Sequence, residues 1–246
     1  MAAGLQAQLV HHRAHVGGRA VPLALADHVG RREAVEIRPA GEEFHVFRSL
    51  NCSTLDVIEH VPTDVTDPGQ MHDLVDQTTR HFGRIDVLVN NAGTNIKARR
   101  MRELTIDAWN QLVRTNLDGA FYCIREVLPQ MLERRDGVIV NVNSISGKQT
   151  HFAAGAGYAA GKFGLHALAG CLANEELESG IRVSSIYPGA IDTLQRLTRP
   201  TPETADQRAK MMKPEDVANA VLFVATLPPH VSVPELIIRP TAQAYV

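Results

Sequence analysis

A run of β-branched residues between two glycines most constrains the fold of this chain. The run is Val138–Val142 (VIVNV), with Gly137 before it and Gly147 shortly after it, and it is followed by the polar residue Ser144. A short apolar run of this kind predicts a strand that is buried in a parallel sheet. Because ligands of open α/β sheets bind outside the carboxyl ends of the strands, we expect Ser144 to lie where chemistry occurs.

A tyrosine and a lysine follow this strand at helical spacing. Tyr158 and Lys162 are four residues apart, which puts them on the same face of a helix, one turn apart. A phenol with a pKa of about 10 is a poor base near neutral pH, but a nearby ammonium group lowers that pKa. A tyrosine adjusted in this way can exchange a proton with an alcohol or an oxyanion, and Ser144 can hold the reacting oxygen. The alternative is a surface helix with a half-buried tyrosine and a solvated lysine.

Several motifs together resemble the classical short-chain dehydrogenases/reductases. They are Asn90-Asn91-Ala92-Gly93, Asn116, Ser144, Tyr158 with Lys162, and Pro188-Gly189. The resemblance covers roughly residues 57–246 and keeps the order and approximate spacing of the family. It implies an α/β fold, doubly wound and Rossmann-like, with a mainly parallel seven-stranded sheet and helices on both faces. A chain of 246 residues fits one such domain, residues 1–246, better than two.

The resemblance also implies an activity, the NAD(P)-dependent interconversion of a carbonyl and a secondary alcohol. Tyr158 would be the general acid/base, Ser144 would position the oxygen, and Lys162 would lower the tyrosine pKa and hold the nicotinamide ribose. Asn116 would hold a water in a proton relay with Lys162. Asn116 also falls on an apolar helix face, where a buried asparagine must find partners, so the alternative is that it ties its own helix to a neighbour. The two roles are compatible, and we favour the relay.

Further cofactor contacts follow from the same resemblance. Asp64-Val65 would contact the adenine, although Asp64 can instead be a helix N-cap, and Pro188-Gly189 can be a plain strand-end turn. The cofactor-binding residues implied are Gly18, Asp64, Val65, Asn91, Ala92, Gly93, Tyr158, Lys162, Pro188, Gly189, Ile191 and Thr193.

Residues 1–56 form an atypical start to the cofactor-binding half. The family pattern there is Thr-Gly-x-x-x-Gly-Ile-Gly, of which only Gly18 survives, while His12 and Val16 occupy glycine positions. Those glycines allow a tight turn and a close approach to the pyrophosphate. We expect a short strand ending at Leu9-Val10 and part of a helix within Ala20–Ala26. Plain divergence of this segment is one interpretation, and an altered version of the family N-terminus is another.

The same segment bears on metals and on the choice of cofactor. A metal site from His11, His12 and His15 is disfavoured because no clear further ligand accompanies them. The basic pair Arg31-Arg32 resembles NADP-using members, whereas Glu36 can be the acid of NAD-using members, so we favour NADP slightly. The degenerate turn also leaves an alternative function open: a non-catalytic relative with impaired cofactor binding, acting as a binding or structural protein.

The remaining chain predicts helices, a lid and an assembly. Apolar residues from Trp109 to Met131 repeat at helical spacing, and a second long helix is expected from Lys162 to about Glu178. In the family these helices pack against symmetry mates, so a homodimer or homotetramer is expected. Residues 194–213 would form a substrate-lid loop, and a helix would run from Pro214 to Thr226.

Composition excludes several classes of function. A net charge of −2 gives no electrostatic footprint for nucleic acid or for an acidic membrane surface. The three cysteines suit a reducing compartment, and neither a signal peptide nor an apolar run of membrane-spanning length is evident. We therefore expect a cytoplasmic protein whose partner is a small-molecule carbonyl or alcohol substrate.

Overall fold

The computed structural model describes a large part of the chain. It describes the backbone of residues 8–12, 14–16, 19–21 and 44–49, and then residues 57–244. Gly18, Arg31-Arg32 and Glu36 lie outside the described residues.

A seven-stranded sheet forms the centre of the molecule, with the spatial order β5-β4-β1-β6-β7-β8-β9. Its strands are β1 (Gln8–His12), β4 (Phe44–Ser49), β5 (Val57–Val61), β6 (Val87–Asn90), β7 (Gly137–Val142), β8 (Ile181–Pro188) and β9 (Glu235–Ile238). A separate hairpin pairs β2 (Ala14–Val16) with β3 (Arg19–Val21). The predicted seven-stranded sheet is thereby confirmed.

The sheet is mainly parallel, with two strands reversed. Strands β6 to β9 are parallel to one another, whereas β1 is antiparallel to β6 and β4 is antiparallel to β5. Since β1 and β4 are parallel to each other, both run opposite to the other five strands. The carboxyl end of β1 therefore lies at the edge opposite to the carboxyl ends of β6, β7 and β8.

The N-terminal segment departs from the expected strand, turn and helix. A strand covers Leu9-Val10, but it continues to His12 instead of ending there. Arg19–Val21 is also a strand, so a helix covering Ala20 is wrong. Val16 and Val21 are β-branched residues that favour extended backbone, and the chain pairs Ala14 with Val21 and Val16 with Arg19. His12 likewise belongs to β1, where it is paired with Ser49.

Helices cover both faces of the sheet, as predicted. They are α1 (Pro68–Phe82), α2 (Ile106–Val113), α3 (Gly119–Arg134), α4 (Ala156–Glu175), α5 (Ala205–Ala209) and α6 (Pro214–Ala225). On one face, Met71 of α1, Val127 of α3 and Leu172 of α4 belong to one apolar cluster with Ile139 of β7. On the other face, α6 packs over β6 to β8 through a second cluster.

The helix limits follow local signals in the sequence. Asp67 caps α1, since its carboxylate accepts hydrogen bonds from the Gly69 and Gln70 N–H groups, and Pro68 takes the first position as expected. Helix α4 begins six residues before the predicted start at Lys162 and ends at Glu175. No helix in the described ranges combines the length and apolar character needed to cross a bilayer.

Candidate active site

Three neighbouring strands bring their carboxyl ends to one edge of the sheet. Asn90 of β6 is paired with Asn141 of β7, and Val142 of β7 is paired with Ile186 of β8. The side-chain amides of Asn90 and Asn141 also join the two strands through a hydrogen bond of 2.9 Å. The loops that follow these strands carry Gly93, Ser144 and Gly189, so three of the predicted motifs start at the same edge.

Lys162 is a buried cation behind this edge. Its side chain lies on α4, the residue is 2% exposed, and its Nζ donates a hydrogen bond of 3.0 Å to the Val142 carbonyl. Burial lowers the pKa of Lys162 to about 8. That bond is its one hydrogen bond within the described residues, so further N–H donors of the ammonium group remain for a ligand.

Tyr158 lies one turn before Lys162 and is half-buried. The Lys162 Nζ is 5.9 Å from the centre of the tyrosine ring. Burial raises the pKa of Tyr158 above its usual value, while a hydrogen bond with Ser144 and the charges of nearby arginines oppose that increase. The predicted lowering of this pKa by Lys162 stays a prediction.

Ser144 follows β7 and begins a short 3-10 turn, Ile145–Gly147. Its Oγ accepts a hydrogen bond of 3.1 Å from the Ser146 N–H. At Gly147 a Cβ atom would lie 2.5 Å from Asn143 Oδ1 and 2.7 Å from the Lys162 carbonyl oxygen, so no larger residue fits between this turn and α4. The glycine thus lets the serine loop approach the helix that carries Tyr158 and Lys162.

Asn116 ties the neighbouring helix to the loop after β6. It is 1% exposed and lies in a π-helical turn, Arg114–Asp118, between α2 and α3. Its Nδ2 donates to the Thr94 and Leu112 carbonyls at 2.9 and 2.8 Å, and its Oδ1 accepts from the Thr94 N–H at 3.2 Å. The tying role expected of a buried asparagine is confirmed, whereas the water relay stays a prediction; π-helical turns are frequent at functional sites.

The loop after β6 contacts this cluster directly. A Cβ atom at Gly93 would lie 3.2 Å from Asn116 Oδ1 and 3.4 Å from Lys162 Nζ. Asn91 is exposed, and Ala92 is half-buried against the core. The loop therefore contacts both Asn116 and Lys162, so Gly93 belongs to the same cluster.

Asp64 and Val65 lie at the end of the loop after β5. The Asp64 carboxylate accepts a hydrogen bond of 2.8 Å from the Thr66 N–H, and because Asp67 is the N-cap of α1, the N-cap alternative for Asp64 is wrong. Val65 is 1% exposed and packs against Gly119 of α3. The contact is so close that a Cβ atom at Gly119 would lie 2.9 Å from the Val65 side chain. Its side chain supports α3, and contact with an adenine ring stays a prediction for both residues.

The loop after β8 is held by the C-terminal residues. The Gly189 N–H donates to the Ile238 carbonyl at 2.8 Å, and the Ala190 N–H donates to Gln243 Oε1 at 2.9 Å. Ile191 then forms an isolated bridge with Met212. Thr193 precedes a short 3-10 helix, Leu194–Thr198. Pro188 is thus the last residue of β8 and Gly189 bonds to the end of β9, and the contact of the two residues with a cofactor stays a prediction.

Sequence reasoning missed three arginines that act on Tyr158. The positive charges of Arg199, Arg99 and Arg196 each oppose the increase in the tyrosine pKa. Arg99 follows the β6 loop, and the other two belong to the predicted lid, so nothing in their local spacing links them to the tyrosine. The sequence signal available was that arginines are frequent in the loop after β6 and in the predicted lid. This signal is weak, because arginines are common in surface loops.

Comparisons with known proteins identify the family of this chain. The sequence model of the short chain dehydrogenase family matches residues 41–203. An uncharacterized oxidoreductase of Staphylococcus aureus (strain MRSA252) is 33% identical over 186 residues, which cover 75% of this chain and 77% of the relative.

Two solved structures extend the agreement to the fold. The closed form of a serine dehydrogenase complexed with NADP+ has a TM-score of 0.66 and 27% identity, covering 75% of this chain and 77% of its own. A levodione reductase has a TM-score of 0.67 and 30% identity, covering 72% and 74% of the two chains. This chain therefore belongs to the short-chain dehydrogenase family of oxidoreductases.

Proposed function

We propose that this chain interconverts a carbonyl and a secondary alcohol with NAD(P), and that Tyr158 is the general acid/base. The observation that carries the proposal is the cluster at the strand ends, in which Ser144, Tyr158 and the buried Lys162 lie together beside Asn116 and Gly93. The two solved structures in the comparison are a dehydrogenase and a reductase by name, which supports the same chemistry.

Each group of the cluster has a distinct task in this proposal. Ser144 holds the substrate oxygen next to the phenol, and Tyr158 gives its proton to that oxygen in reduction or accepts one in oxidation. A phenol with the ordinary pKa of about 10 is protonated at neutral pH, as reduction requires, and burial raises the pKa of Tyr158 further. Asn116 fixes the loop after β6 to its helix, which keeps Gly93 and Lys162 in place.

One half of a dinucleotide site fits the residues present. When bound, the nicotinamide supplies or accepts the hydride equivalent. The Lys162 ammonium is buried and has donors left for a ribose hydroxyl, and Gly93 leaves the backbone beside it uncovered. The pyrophosphate half rests on the segment around Gly18, outside the described residues. A slight preference for NADP is supported by the NADP+ in the serine dehydrogenase complex.

A second candidate is a non-catalytic relative with impaired cofactor binding. The reversal of β1 favours it, because the carboxyl end of that strand lies at the edge opposite to Lys162 and Tyr158. In nucleotide-binding α/β proteins the first strand instead delivers the phosphate-binding turn to the site. Cofactor binding separates the two candidates, since only the oxidoreductase needs it.

Residues 194–213 form the proposed substrate lid. The segment is tied at its base, because the Met212 N–H donates to the Ala190 carbonyl and the Asp192 N–H donates to the Met212 carbonyl. Asp192 also pairs with Arg208 and Lys213 at 2.6 and 2.9 Å. A loop fixed at both ends can close over a ligand as one unit.

The assembly is proposed to be a homodimer or homotetramer. Phe121 on α3 is 43% exposed and Phe163 on α4 is 36% exposed, so each of these long helices presents an aromatic ring to solvent. Symmetric assemblies bury such surfaces on both partners at once.

The test is an assay of the purified chain with NADPH and a panel of ketones, oxo acids and oxo esters. We expect loss of NADPH absorbance that depends on both the protein and a carbonyl compound, with an alcohol as product. Saturable NADPH binding without turnover of any compound would contradict the catalytic proposal, and the absence of binding would favour the non-catalytic relative.

A further inference from the structure

A histidine outside the proposed catalytic set is joined to the turn that follows Ser144. The Nε2 atom of His151 lies 2.9 Å from the Oγ atom of Ser146, which is hydrogen-bond distance. Ser146 is 3% exposed, whereas His151 reaches the surface. A buried hydroxyl needs a hydrogen-bond partner, and for Ser146 that partner is the imidazole ring of His151.

Ser146 is in turn bonded to Ser144 through its backbone. The Ser146 N–H donates to Ser144 Oγ at 3.1 Å, and the Gly147 N–H closes the turn by donating to the Ser144 carbonyl at 2.8 Å. A serine oxygen that accepts from an N–H group still has its own O–H donor for a substrate oxygen. The orientation of Ser146 therefore affects the direction in which the Ser144 hydroxyl points.

The backbone that carries His151 is anchored to the loop after β6. The Ala154 N–H donates to the His151 carbonyl at 3.0 Å, which closes a turn just before α4. Asn95 Nδ2 donates to the Ala154 carbonyl at 2.9 Å. Arg99 Nη1 donates to the Ala153 carbonyl at 2.9 Å. Because Asn95 and Arg99 are both buried, the imidazole extends from a turn that is fixed at its base.

The ring is suited to bond a hydroxyl near neutral pH. Partial burial, and to a smaller extent the positive charge of Arg199, lower the pKa of His151 below its usual value. A neutral imidazole has one donor nitrogen and one acceptor nitrogen, so Nε2 can bond the Ser146 hydroxyl in either tautomer. The bond therefore does not need a charged ring.

We propose that His151 is a positioning residue of the reaction, which acts on Ser144 through Ser146. The imidazole holds the Ser146 hydroxyl, the Ser146 N–H holds Ser144 Oγ, and the Ser144 hydroxyl then meets the substrate oxygen in one orientation. A hydrogen bond to that oxygen strengthens as negative charge develops on it, so a loss of orientation lowers kcat more than substrate affinity. The inference rests on the proposed function and deepens it by adding a residue to the same site.

Two substitutions at His151 test the hydrogen bond. His151→Gln keeps a donor and an acceptor at about the distance of Nε2 from the backbone, whereas the amide of His151→Asn ends one carbon short. We expect His151→Asn to lower kcat by about 3- to 10-fold for the best compound of the carbonyl panel, and His151→Gln to stay within about twofold of the wild type. The affinity of both variants for NADPH should stay within about twofold of the wild type. His72→Asn, which changes an exposed histidine of α1, is the control and should keep the wild-type kcat.

A double-mutant cycle tests the route through Ser146. Ser146→Ala removes the hydroxyl but keeps the N–H that bonds Ser144, and it should lower kcat by about the same factor as His151→Asn. If the histidine acts only through that hydroxyl, the double variant should match the single variants within about twofold. Losses that multiply in the double variant would mean that His151 acts on the substrate directly, and they would overturn the inference.

The other outcomes separate this inference from the proposed function. Wild-type kcat in His151→Asn or in Ser146→Ala, or an equal loss in His151→Asn and His151→Gln, would overturn the inference and leave the oxidoreductase proposal standing. A lower free energy of urea unfolding with unchanged kcat would show that the bond only stabilises the turn, and would overturn it as well. No turnover of any compound by the wild-type chain would overturn the proposed function, and this inference with it.

Discussion

Two regions of the sheet, β6 to β8 and β1 with β4, differ in the direction of their strands. At β6 to β8, parallel strands are buried on both faces, and the loops that follow them meet at one edge around Lys162. At β1 and β4 the strands run in the opposite direction, and His12 and Val16, which occupy family glycine positions, belong to strands. The proposed proton-transfer groups therefore follow parallel strands, whereas the segment expected to bind phosphate belongs to a reversed strand and a separate hairpin.

The contrast teaches that the catalytic cluster depends on packing within its own half of the sheet. Gly147 and Gly161 allow the serine loop and the asparagine helix to approach α4, and Asn116 bonds the loop after β6. None of these contacts involves β1 or β4. Binding of a whole dinucleotide, by contrast, also needs N–H groups that can approach the phosphates without side chains in the way.

Loss of the Tyr158 hydroxyl is expected to have the largest effect. Tyr158→Phe removes the proton donor and leaves the ring packing nearly unchanged, so turnover should fall by at least ~10²-fold, the low end for general acid–base catalysis. The measurement is the steady-state rate of NADPH oxidation with an accepted carbonyl compound. Tyr122→Phe, on α3, is the control and should retain the wild-type rate. Wild-type turnover in Tyr158→Phe would show that the strand-end cluster is not the reacting site.

Two glycines of α4, Gly161 and Gly170, test whether the catalytic cluster depends on close helix packing. A Cβ atom at Gly161 would lie 2.8 Å from Asn116 Cβ, whereas Gly170 has no atom within 4 Å of that position. Gly161→Ala should lower the free energy of unfolding by about 1–3 kcal/mol and reduce turnover, because the asparagine helix must move. Gly170→Ala should raise the free energy of unfolding by roughly 0.5–1 kcal/mol and leave turnover unchanged. Equal effects of the two substitutions in urea unfolding would contradict the close approach of the helices.

Lys162 should reduce stability in exchange for function. A pKa near 8 instead of 10.5 corresponds to roughly 3 kcal/mol of unfavourable free energy for the buried charge of Lys162. Lys162→Met removes this cost but also loses the hydrogen bond to the Val142 carbonyl, which contributes about 1 kcal/mol. We therefore expect Lys162→Met to unfold at a higher urea concentration at pH 7. Between pH 8 and 10.5 the folded wild-type chain has released the proton that the unfolded chain still holds, so wild-type stability rises and the difference narrows. If Lys162→Met is less stable than the wild-type chain, and by the same amount at pH 7 and at pH 10, burial of the charged lysine does not destabilise the fold.

The N-terminal segment should show the smallest effect. Glycine at His12 and Val16 restores the family residues, but both positions pair within strands, so the double variant should change NADPH affinity by less than about threefold. Fluorescence titration of the parent and the double variant measures this. Tightening by tenfold or more would mean that the segment forms the family turn when the cofactor binds.

The predictive value of the sequence also differs between the two regions. Val138–Val142 and the Asp67-Pro68 helix start predicted their elements because β-branched runs and capping residues act locally. The position of Asn116 on an apolar face predicted a buried partner, which is the backbone of Thr94. The reversed direction of β1, and the effect of the Arg99, Arg196 and Arg199 charges on the pKa of Tyr158, depend on contacts between distant parts of the chain, which no local spacing encodes.

Titration with NADPH, followed by its fluorescence, tests the central claim most directly: that the cluster around Lys162 is a working nicotinamide site. The wild-type chain should bind NADPH saturably, and Lys162→Met, which removes the buried donor, should bind it at least about tenfold more weakly. Folded Lys162→Met protein with wild-type affinity, or a wild-type chain with no saturable binding, would contradict the account.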